Sequence, residues 1–214
     1  MNRNGHLVSG VLATPFPALV AYAQTDLIGA GLAIMFTILG VNAPDYLEIR
    51  YTKKAIKKIK DKKTGKYKEV ECMASTTLIP HRGITHTLGL WLIAFVLPLA
   101  ALCDPSLLLR MLGDARAAIW LIENNYASCM LFGYAFGGLL HLFCDIPNKK
   151  GIPIFPFVSV KIKLNLWKSG EKDMIMYVAS LLLAVSLCCS FGVYKDMSLF
   201  VNLWENIQSI KNYV

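Results

Sequence analysis

Five apolar stretches separated by short polar or strongly basic segments set the rhythm of the chain: Leu7–Ala23, Leu27–Val41, Ile84–Cys103, Tyr126–Phe143 and Met174–Tyr194. They read as helices of bilayer-spanning character, for which on the order of 18 or more apolar residues are needed. Pro15 and Pro17 fall inside the first stretch, which predicts a kinked helix there. Residues 106 to 125 mix apolar positions with Arg110, Asp114, Arg116 and Glu123, a pattern expected of interfacial rather than spanning structure. Gly133, Gly137 and Gly138 mark the fourth stretch as one that other helices can approach closely.

The segments between these stretches are of two kinds. Residues 46–79 form a basic loop in which Ile49, Ile56 and Ile59 recur at near-helical spacing among lysines, predicting an interfacial amphipathic helix. "KKTGKYKEVECM" then predicts a turn with extended arms. A second loop, Asp145–Lys172, is rich in proline and lysine, and residues 196–214 form an amphipathic tail. The expected architecture is an all-α, polytopic integral-membrane helical bundle. It has about five spans, basic cytoplasmic loops and interfacial helices, built as one membrane-embedded domain over residues 1–214.

Composition agrees with that reading. Only 17% of the 214 residues are charged and 55% are hydrophobic, against roughly a quarter charged in soluble domains. The prolines, the single basic residue Arg3 and the closely following second stretch argue against a cleaved signal peptide. The net charge of +8 is concentrated, with ten of 22 Lys/Arg between Arg50 and Lys68. In a membrane chain such clustering first sets orientation and then attracts anionic lipid. No helix-turn-helix or zinc-finger spacing accompanies it, which argues against nucleic acid. With five spans, 18 Lys/Arg fall on the side of the N-terminus and both basic loops and 4 on the other. The first side is therefore expected in the cytoplasm. The six cysteines form no C-x-x-C pair and read as small hydrophobes.

Candidate chemistry enters with the four histidines. On this topology His6, His81, His86 and His141 all fall at the cytoplasmic ends of spans, with Asp45 and Asp145 beside them and Glu48 close by. Ionisable groups at membrane depth are costly and normally face the bundle interior for a functional reason. His141 and Asp145 stand at i and i+4, on one face of a helix, a workable pair of metal ligands or a ligand with its orienting carboxylate. His81 and His86 diverge by roughly 140° on one helix and converge only if His81 precedes the helix, with Gly83 at the bend. Arg82 suits an anionic substrate oxygen. Glu48 reads as a solvated partner for Arg50 or a lysine.

Imidazoles with carboxylates favour a divalent metal, zinc first and manganese or iron next. The natural reaction class is metal-assisted hydrolysis of a lipid or phosphoester reached from the cytoplasmic side. A metal-ion or proton transporter, or a non-catalytic scaffold using its basic loop, are the alternatives.

"HRGITH", "GGLLHLFCDIPNKKG" with the following "PIFPF", the early His6 and the "APD" turn together resemble the membrane-bound metal-dependent hydrolase family. It is also described as LexA-binding, inner-membrane-associated hydrolases. The similarity runs from about His6 to Glu171. It implies a distant relation to zinc-dependent phospholipase C and P1-type nucleases, hence phosphoester hydrolysis at an inner membrane. The motif residues carried over are His6, Asp45, His81, Arg82, His86, His141 and Asp145. Of these His6, Asp45, His81, His86, His141 and Asp145 are expected metal ligands, and His81, Arg82 and Asp45 are expected to take part in catalysis. The chain departs from the family pattern at Leu47, where a second aspartate is frequent, and at Asn148, where threonine is common.

Overall fold

A computed structural model describes residues 3–48, 50–60, 67–77, 84–149, 151–156, 160–168 and 171–192. The expected tail at 196–214, and the residues His81 and Arg82, lie outside the described residues. The apolar stretches form α1 (Arg3–Ala13), α2 (Pro15–Gln24), α3 (Leu27–Gly40), α5 (Leu88–Cys103), α8 (Asn125–Asp145) and α9 (Asp173–Ser190). Between them lie α4 (Ala43–Tyr46), α6 (Pro105–Leu112) and α7 (Arg116–Glu123). The predicted kink falls between α1 and α2, which are bent by 41°, with Pro15 opening the second helix where its missing N–H costs nothing.

Two helices, α8 and α9, are long and apolar enough to cross a membrane, and the bent α1–α2 pair makes a third. α3 and α5 are shorter apolar helices. At 14 and 16 residues they rise about 21 and 24 Å, short of the roughly 30 Å hydrocarbon core. Of the five spans expected, two to three meet the length of a span, and the other two apolar stretches form shorter helices. α6 and α7, of eight residues each, are too short to cross, as the mixed pattern at 106–125 predicted.

α8 is the centre of the bundle. Two-thirds of its apolar window is buried, 67%, against 22% for α9. A Cβ on Gly133 would strike the backbone of Ala33, and one on Gly137 the backbone of Thr37 and Val41. α3 and α8 therefore lie nearly backbone to backbone, the packing that small residues permit in membranes. On its other side α8 receives Trp91 of α5, whose ring lies against Gly138. α9 presents Met176, Ser180, Ala184 and Cys188, four apart, to the bundle. Its outer face exposes Met174, Val178, Leu182 and Val185. Exposed apolar residues also cover α3 and α5, among them Leu27, Ile28, Leu39 and Ile93. So broad an apolar exterior matches a lipid surround and not water. Of the six cysteines, all free, Cys129, Cys144 and Cys188 are buried as expected, whereas Cys103 and Cys189 are exposed and Cys72 is intermediate.

The basic loop corrects one expectation. In place of an amphipathic helix, β1 (Arg50–Lys60) and β2 (Tyr67–Thr77) form an antiparallel hairpin, in register from Arg50↔Thr77 to Lys60↔Tyr67. A helix here would stack Lys53 on Lys57 and Lys54 on Lys58, like charges at i and i+4. The hairpin register instead sets Glu69 opposite Lys58 and Glu71 opposite Ile56. It also uses the Val, Thr and Tyr of the second arm, which prefer extended backbone. In the second loop Ile152–Pro153 pairs with Lys161–Ile162.

Candidate metal centre

The two ends of the hairpin lead into two elements that carry polar side chains. Before β1, α4 holds Asp45, and Glu48 follows it; after β2, a 3-10 helix at Ile84–His86 precedes α5. His86 therefore sits in a separate turn ahead of α5, where the apolar pattern had placed it inside the third helix. Trp91 fixes that turn by donating its Nε1–H to the carbonyl of Thr85 at 2.7 Å. The backbone N–H of Gly89 donates to the carbonyl of Ile154 in the second loop at 2.9 Å, tying the start of α5 to the segment beyond α8. α1 brings His6 and the last turn of α8 brings His141 and Asp145 to the same end of the bundle.

His6, Asp45, His86, His141 and Asp145 come together there. The rings of His6 and His141 stack with centroids 3.9 Å apart, and His86 meets His141 edge-on at 5.3 Å. His6 Nε2 lies 3.7 Å from Asp145 Oδ1. Asp45 Oδ1 lies 3.4 Å from His86 Nε2 and 3.9 Å from His141 Nε2. All three histidines and Asp145 are buried, whereas the Asp45 side chain retains 36% of its surface and forms the mouth. Two groups of three donors result, His6–His141–Asp145 and Asp45–His86–His141, each with ligand atoms within 4.8 Å of one another.

Each inner ligand is held from behind. His141 Nδ1 is 2.8 Å from the carbonyl of Val41; a carbonyl only accepts, so Nδ1 carries the proton and Nε2 keeps its lone pair. That Nε2 is buried and has no hydrogen-bond partner among the described residues, and the same is true of His6 Nδ1. Asp145 Oδ1 accepts from the Asn148 side-chain amide at 2.7 Å, and Asn148 is itself buried. Behind His86 stands Glu48, with Oε1 3.2 Å from Nδ1 and neither side chain exposed. Half-burial raises the Asp45 carboxyl. The adjoining His86 and the nearby His141 and His6 outweigh burial and hold it below the ordinary carboxylate range, ionised as a ligand must be.

The residues fit a divalent ion. Metal–nitrogen and metal–oxygen bonds of about 2.0–2.2 Å set tetrahedral donors about 3.4 Å apart, close to the 3.4, 3.7 and 3.9 Å separations found here. Buried imidazole nitrogens without hydrogen-bond partners are otherwise expensive. His141 offers one donor only, so it can complete one of the two triads at a time.

Leu47, where the hydrolase resemblance leads one to look for a second aspartate, is turned outward with 47% exposure. By sequence Glu48 stands among the lysines and Asn148 only as a departure from the family pattern. Their spacing from Asp45 and Asp145, three residues in each case, is the signal that both share a face with a candidate ligand.

A family model described as YdjM inner membrane protein matches residues 1–203 of the chain. No curated protein and no solved structure matches it.

Proposed function

We propose, from the premise that this chain belongs to the YdjM inner membrane protein family, that it is a membrane-embedded, metal-dependent hydrolase of phosphoester or lipid-like substrates. The observation that carries the reading is the pair of overlapping His/Asp triads buried at one end of an apolar bundle, with Asp45 alone reaching the surface. His86, His141 and Asp45, with His6 and Asp145 behind them, would hold one divalent ion per chain, zinc first and manganese or iron next. Such an ion supplies Lewis acidity and a strong nucleophile at neutral pH. The protein's own part is to keep the imidazoles in the tautomers that leave a lone pair inward, to hold Asp45 ionised at the mouth, and to exclude water elsewhere. On this reading all five apolar passages lie in the bilayer, and the mouth, the N-terminus and the basic segments face the cytoplasm, as the 18 to 4 division of basic residues favours. Anionic lipid gathers at residues 50–68.

A transport site would need ionisable groups continuing across the bundle. Among the described residues every buried His, Asp or Glu lies in this one cluster. Beyond it come Phe16, Val20, Ala33, Phe132 and Phe136, a dry apolar core.

The test is elemental analysis of detergent-purified, untagged protein beside His86→Ala and Asp145→Ala variants of native thermal stability. One equivalent of zinc, manganese or iron in the wild type, lost in both variants, is expected, together with turnover in a screen of phosphodiester and phospholipid substrates. Wild-type protein that is metal-free and takes up none on addition of these ions would overturn the proposal.

A further inference from the structure

We infer that Glu48 is a positioning residue that fixes His86 as a ligand through its far nitrogen, an inference that rests on the metal-site reading above. Asp45 and Glu48 are i and i+3 across the end of α4, and the structure places them on opposite edges of one imidazole. Asp45 Oδ1 is 3.4 Å from Nε2, and Glu48 Oε1 is 3.2 Å from Nδ1. An ionised carboxylate only accepts hydrogen bonds. A carboxylate faces each nitrogen and a neutral ring has one proton to give; the shorter Glu48 contact, joined by the Thr85 hydroxyl at the same nitrogen, assigns it to Nδ1 and leaves the Nε2 lone pair directed at Asp45 and His141. The Thr85 hydroxyl, 3.2 Å from the same Nδ1, can accept from it as well.

The position of Glu48 gives the inference its weight. A glutamate two residues from a lysine-rich strand has every opportunity to remain in water, and Tyr46 and Leu47 beside it do, at 57% and 47% exposure. Glu48 is 3% exposed. Burying a carboxylate is costly unless it is paired, and the fold spends that cost behind a ring that can bind metal. Carboxylate–imidazole pairs of this kind orient the ring and raise its basicity, and removing the carboxylate lowers metal affinity typically 10–100-fold. The neighbouring ligands have neutral supports, the Val41 carbonyl and the Asn148 amide, so Glu48 is the support that adds charge.

Two measurements test this. Nitrogen-15 histidine NMR of metal-free wild type, with His86 assigned by its absence in His86→Ala, should show His86 in the Nδ1–H form. Finding Nε2–H would overturn the inference without any variant at Glu48. Zinc affinity by chelator competition and the visible spectrum of the cobalt(II) form are then compared in wild type, Glu48→Gln and Glu48→Ala. Glu48→Ala should lose about 10–100-fold in affinity, with Glu48→Gln between it and wild type because the amide oxygen still accepts. The cobalt bands should shift in both at unchanged stoichiometry. Variants that bind zinc as tightly as wild type with the same cobalt spectrum would overturn the inference. If Glu48→Ala does not fold, the isosteric Glu48→Gln carries the comparison. If wild type takes up no metal, the metal-site reading fails, while the tautomer still decides what Glu48 does to His86.

Discussion

At Asp145 a single amide decides how a candidate ligand is held. The Asn148 side chain donates to Oδ1 at 2.7 Å in a buried setting, and hydrogen bonds to charged groups contribute about 1.5–3 kcal/mol. Asn148→Ala should cost about that much in thermal or denaturant unfolding in detergent, and lower metal content as Asp145 gains freedom. Asn148→Asp should be worse on both readouts, since two carboxylates would then share the site. The five clustered candidate ligands were legible as polar letters at or just beyond the ends of apolar stretches, because an unneeded charge there is too expensive to keep. Glu48 and Asn148 were not, because each stands in a stretch already rich in polar residues, where one more raises no alarm. Only their burial, which depends on where α1, α8 and the 3-10 turn meet, separates them from their neighbours.

Among the elements, α3 and α8 make the contact that everything else leans on. Gly137→Ala should push the helices apart, at about 1–3 kcal/mol for forced overpacking. Gly31→Ala on the open side of α3, where nothing lies within 4 Å, should stabilise by about 0.5–1 kcal/mol. Thermal unfolding of the two variants in one detergent reads the difference. The far end of α3 offers a second test. Asp26 caps it by accepting from the N–H groups of Ile28 and Gly29 at 2.9 and 3.0 Å, and receives the Tyr126 hydroxyl at 2.6 Å. The Tyr126 bond first, then the backbone donors, hold the Asp26 carboxyl below its usual range. A carboxylate depressed in this way stabilises the fold above its unfolded pKa, and the benefit is lost as pH falls through the folded value. Tyr126→Phe should therefore raise the Asp26 pKa in a carbon-13 titration, and the cap should fail at a higher pH. The hairpin shows where element-scale reading breaks down. Ile56 and Ile59 are three apart, which a helix would tolerate, and the decisive information lay in the complementary arm at Tyr67–Thr77. That pairing is non-local, and a window sliding along 46–60 does not contain it.

On the scale of the whole molecule, the chain passes the bundle alternately. Among the described residues every candidate ligand lies at one end, and α6 and α7 lie at the other. The apolar rhythm carried this much without help. It did not carry how short α3 and α5 are, because the Asp26 cap and the turn at Val41–Asn42 bound α3 and a separate 3-10 turn takes the first residues of the third stretch away from α5. Orientation can be read with two native thiols. In otherwise cysteine-free protein, Cys103 at the end of α5 should react with a membrane-impermeant maleimide added to intact cells, and Cys72 in the hairpin only after permeabilisation. The reverse pattern would invert the topology. The central place of α8 has a consequence in time. His6, Asp45, Glu48 and His86 all leave the ribosome before His141 and Asp145, and at 5–20 residues per second the gap from His86 to Asp145 lasts about 3–12 s. Through that interval the nascent chain carries an unfinished cup whose last wall is its innermost helix. On the proposed reading, capture of an ion would be timed by translation, and a chain arrested before α8 emerges would lack two of the five clustered side chains.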